Sequence, residues 1–409
     1  MKKKERIVCG LDVGTWKTCA VIVRVRGDDG LEVLGTGTAV SDGLVKGVIV
    51  NLEAVAASVR KAADQAELKS DFSIDWITAG ITGDHVKSDN CRGAILIKRK
   101  HLEVAAEDVD LAVLAAQSSI PIQAERDIVH VLPQEFLLDN RGGITNPVGL
   151  TGLRLDANIH LVTCERAPMQ NLFNAVNKAR MRVRKVVLHS LASSEAVLTP
   201  EEKEVGTVVI DIGGGTTNLA ILVNNMVRFT SVIAVGGGNF TKDLYEQLPT
   251  TPEEAERIKK EFGGLRPERI AKDQMVTVRG IGTRDTRQVS RRVLCEYLRE
   301  RAAELLEFVR DNILHSGAHQ KLIAGAVLTG GGSMLDGMME LASEILEMNV
   351  RSGIPQGLDG LSPELAHPNY ACPMGLAILG ARDLSRAKRN GMPASTHSTI
   401  NRILAWAGK

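Results

Sequence analysis

The feature that most constrains this chain is a strand–turn–strand unit that occurs twice. Residues 7 to 23 read IVCGLDVGTWKTCAVIV, and residues 207 to 223 read TVVIDIGGGTTNLAILV. Each copy runs as an apolar strand, an Asp-x-Gly turn, threonines and polar residues, then a second apolar strand. A lone Asp-Gly turn is a common hairpin signal. Two copies with matched flanks, about one domain apart, imply a duplicated α/β unit.

The residue types in both turns suit a phosphate. Gly14, Gly213, Gly214 and Gly215 let backbone N–H groups close on an anion without a Cβ in the way. Thr15, Thr18, Thr216 and Thr217 offer hydroxyls, Lys17 offers a point charge, and Trp16 completes the first turn. Asp12 and Asp211 stand at the strand ends and suit a hydrated Mg²⁺, which takes one or two carboxylates plus phosphate and water. A third motif, AGAVLTGGGSMLDGM at residues 324 to 338, is an apolar strand, then Gly330, Gly331 and Gly332, then a helix expected to open at Ser333, with Met334 beside it. A glycine turn feeding a helix N-terminus is an anion or nucleotide site. Alone it would be a weak signal; after two phosphate hairpins it supplies the nucleoside end.

Composition removes other classes. The 409 residues carry a formal net charge of +1 and only 3% aromatics, which leaves little to stack nucleic-acid bases on and disfavours such a partner. Cys9, Cys19, Cys91, Cys164, Cys295 and Cys372 form no CxxC pair and are expected as reduced core thiols. The start MKKKERIVCGLDVG lacks an apolar run long enough for a signal peptide, and no window reaches the ~18 apolar residues of a membrane span.

Taken together, GLDVGTWKT, VIDIGGGTTN and VLTGGGSMLDG, with the segments LHSLASSEAVL (188 to 198) and NYACPMGLAILGA (369 to 381), resemble the actin, Hsp70 and hexokinase superfamily. Within it, the wording of all five motifs and the overall length resemble the bacterial cell-division family FtsA. The resemblance implies an actin-like two-lobed α/β fold of duplicated RNase H-like domains that closes on ATP and Mg²⁺. It places the adenine base between the third glycine turn and the helix PEEAERIKKEFG, residues 252 to 263, where Glu256, Lys259 and Lys260 fall on neighbouring turns. A plain charged helix face is the alternative there. In hydrolytic relatives the first connecting segment carries a Gln or Glu that positions water. Here alignment by eye puts Ser190 in that place, with Glu195 further along. Serine is a poor general base, so slow hydrolysis at most is expected, with ATP acting as a conformational ligand.

The expected layout is a first-lobe domain from 1–83 and 164–190, an inserted small αβ subdomain at 84–163, and a second-lobe domain from 191–239 and 319–382. A second-lobe subdomain spans 240–318, and 383–397 reads as a flexible linker. The resemblance assigns the insertion to self-assembly into filaments and contact with other division proteins. It assigns 240–318 to docking the acidic tail of the tubulin-like protein FtsZ, with Arg291 and Arg301 chosen as contacts; a solvated arginine face is the alternative.

The last segment, STINRILAWAGK at residues 398 to 409, reads as an amphipathic helix that meets membrane lipid. At 100° per residue Ile400, Ile403 and Leu404 share a face with Ala407, and Trp406 lies at its edge. Arg402 and Lys409 project oppositely, able to meet anionic headgroups. The chain is thus expected as a peripheral protein on the cytoplasmic side of the cell membrane at the division site. Two rivals share the lobes: a PilM-like pilus-assembly protein, and a small-molecule kinase of the superfamily, for which no substrate-facing aspartate motif is found.

Overall fold

The computed structural model describes residues 5–27, 30–99, 101–282 and 286–389. Two five-stranded sheets share one topology. In the first the order is Gly30–Val40, Lys17–Arg26, Ile7–Val13, Trp76–Ile81, Arg182–Leu188; in the second it is Met226–Ile233, Thr217–Val223, Thr207–Ile212, Ala326–Thr329, Val350–Ser352. In both, three strands meander antiparallel and two more add in parallel. The duplication seen in the turns extends to whole lobes, and the register repeats too: Asp12 faces Cys19 in one hairpin, and Asp211 faces Asn218 in the other.

Each sheet's last strand feeds a helix that runs between the lobes: His189–Val197 after the first, Ala371–Arg389 after the second. His189–Val197 and the first eleven residues of the second helix, 371–381, read as mostly small and apolar residues because nearly all of them are buried. Leu191, Ala192, Ala196, Met374, Leu376 and Ala377 share one core with Val21 and Val23 of the first sheet and with Val209, Ala220 and Val327 of the second. The helices meet at Gly375, where a Cβ would fall 1.7 Å from the Ala192 carbonyl oxygen. Only glycine permits this approach.

Residues between the fourth and fifth strands of the first sheet fold on their own core. Strands Val86–Leu96, Arg154–Glu165, Arg126–Leu138 and Arg141–Ile144 form an antiparallel sheet in that order, and helix Ala106–Gln117 covers one face. This unit leans on the outer edge strand of the second lobe, Met226–Ile233. Ser88 Oγ donates to Thr230 O (2.8 Å), Asn90 Nδ2 to Arg228 O (3.2 Å), and Gln134 Nε2 to Val227 O and Arg228 O (3.0 Å each). His160 lies at the centre of this contact. Its Nδ1 meets Asn90 Oδ1 at 2.7 Å and its Nε2 meets the Thr230 hydroxyl at 2.8 Å.

The second lobe carries helices Gly237–Gln247 and Pro252–Phe262, a hairpin of Met275–Arg279 with Thr286–Ser290, and the long helix Arg291–His315. Thr251 caps the second of these helices by accepting from Glu254 N (3.3 Å). Two expectations are corrected here. The last helix continues to Arg389, so residues 383–389 are helical where a linker was expected. After the third glycine turn a 3₁₀ turn, Gly331–Met334, comes first, and the α-helix opens at Met338 rather than Ser333. The rest of the linker and the segment 398–409, with Ile400, Arg402, Ile403, Leu404, Trp406 and Lys409, lie outside the described residues. No helix among the described residues is long and apolar enough to cross a membrane.

Candidate functional site

The matched hairpins place their turns face to face at the junction of the lobes. Gly14 N donates to Lys17 O (3.1 Å), and Gly213 N donates to Thr216 O (2.9 Å), so the two turns close identically. A Cβ on Gly214 would sit 2.7 Å from the Trp16 Cβ. Just past the strand Trp76–Ile81, Thr82 Oγ1 donates to Asn218 Oδ1 (2.5 Å) and lies 3.2 Å from Thr216 Oγ1 across the junction. Lys17 also crosses: its ammonium donates to Asn369 O (2.8 Å) and lies over the Tyr370 ring, 4.3 Å from its centre.

Asp12 and Asp211 end the first strand of each lobe, at the floor of this junction, and both are buried. Ser193 Oγ donates to Asp211 Oδ2 (2.5 Å). Burial pushes the Asp211 carboxyl above the usual carboxylate range, with the Ser193 hydrogen bond opposing it. Asp12 Oδ1 is buried with no hydrogen-bond partner, and so are His189 Nε2 and Asn369 Oδ1. Buried polar atoms without hydrogen bonds are rare in folded proteins, and two of these, Asp12 Oδ1 and His189 Nε2, lie 3.3 Å apart. The residues present therefore fit a cation and phosphate oxygens.

The connecting helix brings His189 to Asp12, with Nε2 3.3 Å from Oδ1. Ser190, the residue expected there, is fully buried and has no partner for its hydroxyl. The helix begins at His189, and one residue of rotation, about 100°, separates the cleft from the core. Glu195 is turned away as well, pairing with Lys203 (3.0 Å) and Arg382 (2.5 Å).

The third turn stands beside the second. Gly330 adopts φ +82°, a left-handed conformation that favours glycine, and a Cβ on it would strike Asp211 Oδ1 at 2.3 Å. Gly331 has room: an added Cβ would find nothing nearer than Asn369 Cβ at 4.0 Å. Met334 is half exposed at the rim. From the other side, Lys259 donates to Gly237 O (2.9 Å) and Thr241 Oγ1 (2.8 Å), and pairs with Glu256 (2.6 Å). Burial lowers its pKa, against the pull of Glu256. Glu256 also accepts from Thr241 Oγ1 (2.5 Å) and pairs with Lys260 (3.1 Å). Burial alone would raise its carboxyl; the Lys259 charge and the hydrogen bonds hold it below the usual range. The Lys259 and Lys260 ammoniums stand 5.8 and 5.4 Å from the centre of the Trp16 ring.

Not every expected residue turns inward. Thr217 follows Thr216 in a strand, so its side chain points to the opposite face, and its hydroxyl donates to Val235 O (2.8 Å). Thr18 is likewise turned to Ser41 Oγ (2.8 Å), and the Thr15 hydroxyl accepts from Gly47 N (3.2 Å). A further glycine turn, Gly236 to Gly238, was missed. Gly237 N donates to Gly213 O (2.8 Å) and Gly238 N to Gly214 O (2.6 Å), so it braces the second hairpin's glycine turn. Its signal was in plain view, since GGGN at 236 to 239 echoes GGGS at 330 to 333. Arg291 and Arg301 already have partners inside the chain. Arg291 donates to Phe262 O (2.9 Å), and Arg301 holds Asp243 through two bonds (2.6 and 2.9 Å) and also pairs with Glu304.

Duplicated sheets, two connecting helices and a glycine-lined junction define an actin-like two-lobed protein. Solved structures carry the same fold at low sequence identity. A PilM–PilN type IV pilus biogenesis complex chain aligns with TM-score 0.66 and 16% identity, covering 91% of this chain and 98% of its own. MreB5 of Spiroplasma citri bound to ADP aligns with TM-score 0.55 and 14% identity, covering 94% and 99%. The family model "Cell division protein FtsA" matches residues 208–375, and "SHS2 domain inserted in FTSA" matches residues 83–163. Cell division protein FtsA of Neisseria meningitidis serogroup B is 37% identical over 377 residues, covering 92% of this chain and 90% of the relative. That of Pseudomonas aeruginosa is 36% identical over 408 residues, covering 98% and 97%. The chain belongs to the FtsA family.

Proposed function

We propose that this chain is a cell-division protein that binds Mg-ATP between its lobes, assembles into filaments on the cytoplasmic face of the membrane, and tethers FtsZ there. The single observation that carries this reading is likeness to FtsA proteins along nearly the whole chain, 98% of it in one case. The pilus reading rests on fold alone, at 16% identity.

The cleft supports the nucleotide half of the proposal. Asp12 and Asp211 would hold Mg²⁺ through water, the glycine turns would receive the phosphates, and Gly331, Glu256 and Lys259 would border the nucleoside. Bound Mg²⁺ would neutralise phosphate charge. Lys17 is positioned to exchange its Asn369 carbonyl for a phosphate oxygen. Burial of the Asp211 carboxylate makes a cation favourable at the floor, and ATP serves to hold the lobes closed rather than to drive rapid turnover.

Membrane docking is assigned to residues 398 to 409. Burying three large aliphatic side chains and part of a Trp yields roughly 5–8 kcal/mol gross, and folding so short a helix takes several of those. One tail binds weakly, and a filament carrying many tails binds firmly. Docking of the acidic FtsZ tail is assigned to the region 240–318. A ligand carboxylate at Arg301 would have to displace Asp243, so charge reversal there should weaken binding only partly.

Imaging of the fluorescently labelled chain in its own cells tests the reading. Bands at the division site, lost when the chain is cut before Thr396, are expected. Localisation to pilus sites, or division-site bands that persist without the tail, would contradict it.

A further inference from the structure

Asp12, His189 and Cys372 come from three separate elements: the end of the strand Ile7–Val13 and the starts of both connecting helices. All three are buried, and their Oδ, Nε2 and Sγ atoms lie within 4.8 Å of one another. No other such group of His, Cys, Asp and Glu occurs among the described residues. Two of the three ligand atoms, Asp12 Oδ1 and His189 Nε2, face each other at 3.3 Å and make no hydrogen bond to any other group, and His189 is 6% exposed.

The spacing between them has a meaning. Oxygen and nitrogen ligands each about 2.0–2.1 Å from a tetrahedral zinc stand about 3.3–3.4 Å apart. The Asp12 and His189 atoms are 3.3 Å apart. One carboxylate, one imidazole and one thiolate form a mixed N/O/S set, which selects zinc-like ions over Mg²⁺ because magnesium takes oxygen ligands.

We propose that the floor of the cleft is a binding site for a thiophilic divalent cation of the Zn²⁺ type, held by Asp12, His189 and Cys372. Sγ moves toward the ion and releases its proton to solvent, so the three ligands bring two negative charges to a doubly charged ion. The fourth position faces the cleft and takes water. Because both connecting helices contribute a ligand, the ion fixes the angle between them, and with it the angle between the lobes. It also occupies Asp12, so it competes with a magnesium ion at the same carboxylate. The site needs no nucleotide.

Cobalt(II) is the probe, since it replaces zinc and reports a thiolate ligand by near-ultraviolet charge-transfer absorption. The full chain, nucleotide-free and reduced, is titrated with Co²⁺ alone. A saturable charge-transfer band with tetrahedral visible bands is expected, absent in Cys372→Ser. In His189→Ala the band should persist with affinity weakened by about tenfold or more. All six cysteines are buried, so no exposed thiol competes for the ion. Absence of the band from the native chain would overturn the proposal, as would its survival in folded Cys372→Ser. Should Cys372→Ser fail to fold by circular dichroism, unchanged cobalt affinity in His189→Ala overturns it instead.

Discussion

Gly331 has room around it that the fold does not use, at the place where the nucleoside is proposed to lie. Its α-hydrogens face open space, with the nearest side-chain atom 4.0 Å from an added Cβ. A substitution there should fold normally and obstruct the cleft. Gly331→Asp is expected to leave the melting temperature within a few degrees and weaken ATP binding by about tenfold or more, about 1.4 kcal/mol, since its side chain fills the space the nucleoside needs; nucleotide titration and thermal melting check both. Gly330 is the opposite case, with positive φ and Asp211 Oδ1 2.3 Å from an added Cβ. Residue types at the site were readable because glycine, aspartate and lysine announce themselves. Directions were not. Thr217 and Ser190 belong to the right segments, yet each sits one position from a residue that faces the cleft, and a one-residue offset reverses a strand side chain or turns a helical one by about 100°.

Elements were legible wherever their pattern was long. Apolar residues recur at helical spacing along Leu52–Ser70, and Ala106–Gln117 carries Val109, Ala112, Val113 and Ala116 on one buried face. In the long helix Arg291–His315, Leu294, Leu298, Leu305 and Val309 recur at helical spacing and are buried, whereas Val293 and Phe308 are more than a third exposed. They flank the stripe, and the packing partner decides which flank is covered. What periodicity could not reveal was how elements meet. At the crossing of the connecting helices, Gly375→Val would force a side chain into the Ala192 carbonyl, 1.7 Å from the added Cβ. Overpacking of this kind costs about 1–3 kcal/mol or more, and denaturant unfolding should show at least that loss. Gly353, just past the strand Val350–Ser352 and beside Val327 and Val197, would make a milder comparison, since its nearest neighbours are side-chain atoms.

The contact between the insertion and the second lobe yields a pH dependence. Burial lowers the His160 pKa to about 4, below the ~6.5 of an exposed histidine. Between those values the unfolded chain binds the extra proton and the folded chain does not, so stability rises with pH across that window and is lost as pH falls from about 6.5 toward 4. The full swing is on the order of 3 kcal/mol. Hydrogen exchange in Met226–Ile233 should accelerate as pH is lowered through this range, after correction for intrinsic rates, and His160→Gln should flatten the dependence. An unchanged profile in that variant would place the acid sensitivity elsewhere.

At the scale of the whole molecule, the repeated turns carried most of the architecture, because a duplicated hairpin with matched flanks goes with two similar lobes. The sheets repeat strand for strand. The insertion was expected at 84–163, and the matched inserted-domain model covers 83–163. What a single sequence could not supply was the contact of that insertion with the second lobe, because it is made largely to main-chain carbonyls of residues 227, 228 and 230, and carbonyls leave no trace in side-chain identity. The tail makes a prediction at this scale. Removing residues 396–409 should abolish sedimentation with anionic liposomes while nucleotide affinity stays unchanged, and linking two chains should strengthen attachment far more than twofold.

The central claim is that the two lobes meet around Mg-ATP. Equilibrium titration of the full chain with a fluorescent ATP analogue, with Mg²⁺ and with excess chelator, tests it most directly. Saturable binding of one nucleotide per chain is expected, weakened by chelator and by Asp12→Ala, and weakened by about tenfold or more in Gly331→Asp. Equal affinity in the native chain and both variants, or no saturable binding at all, would contradict it.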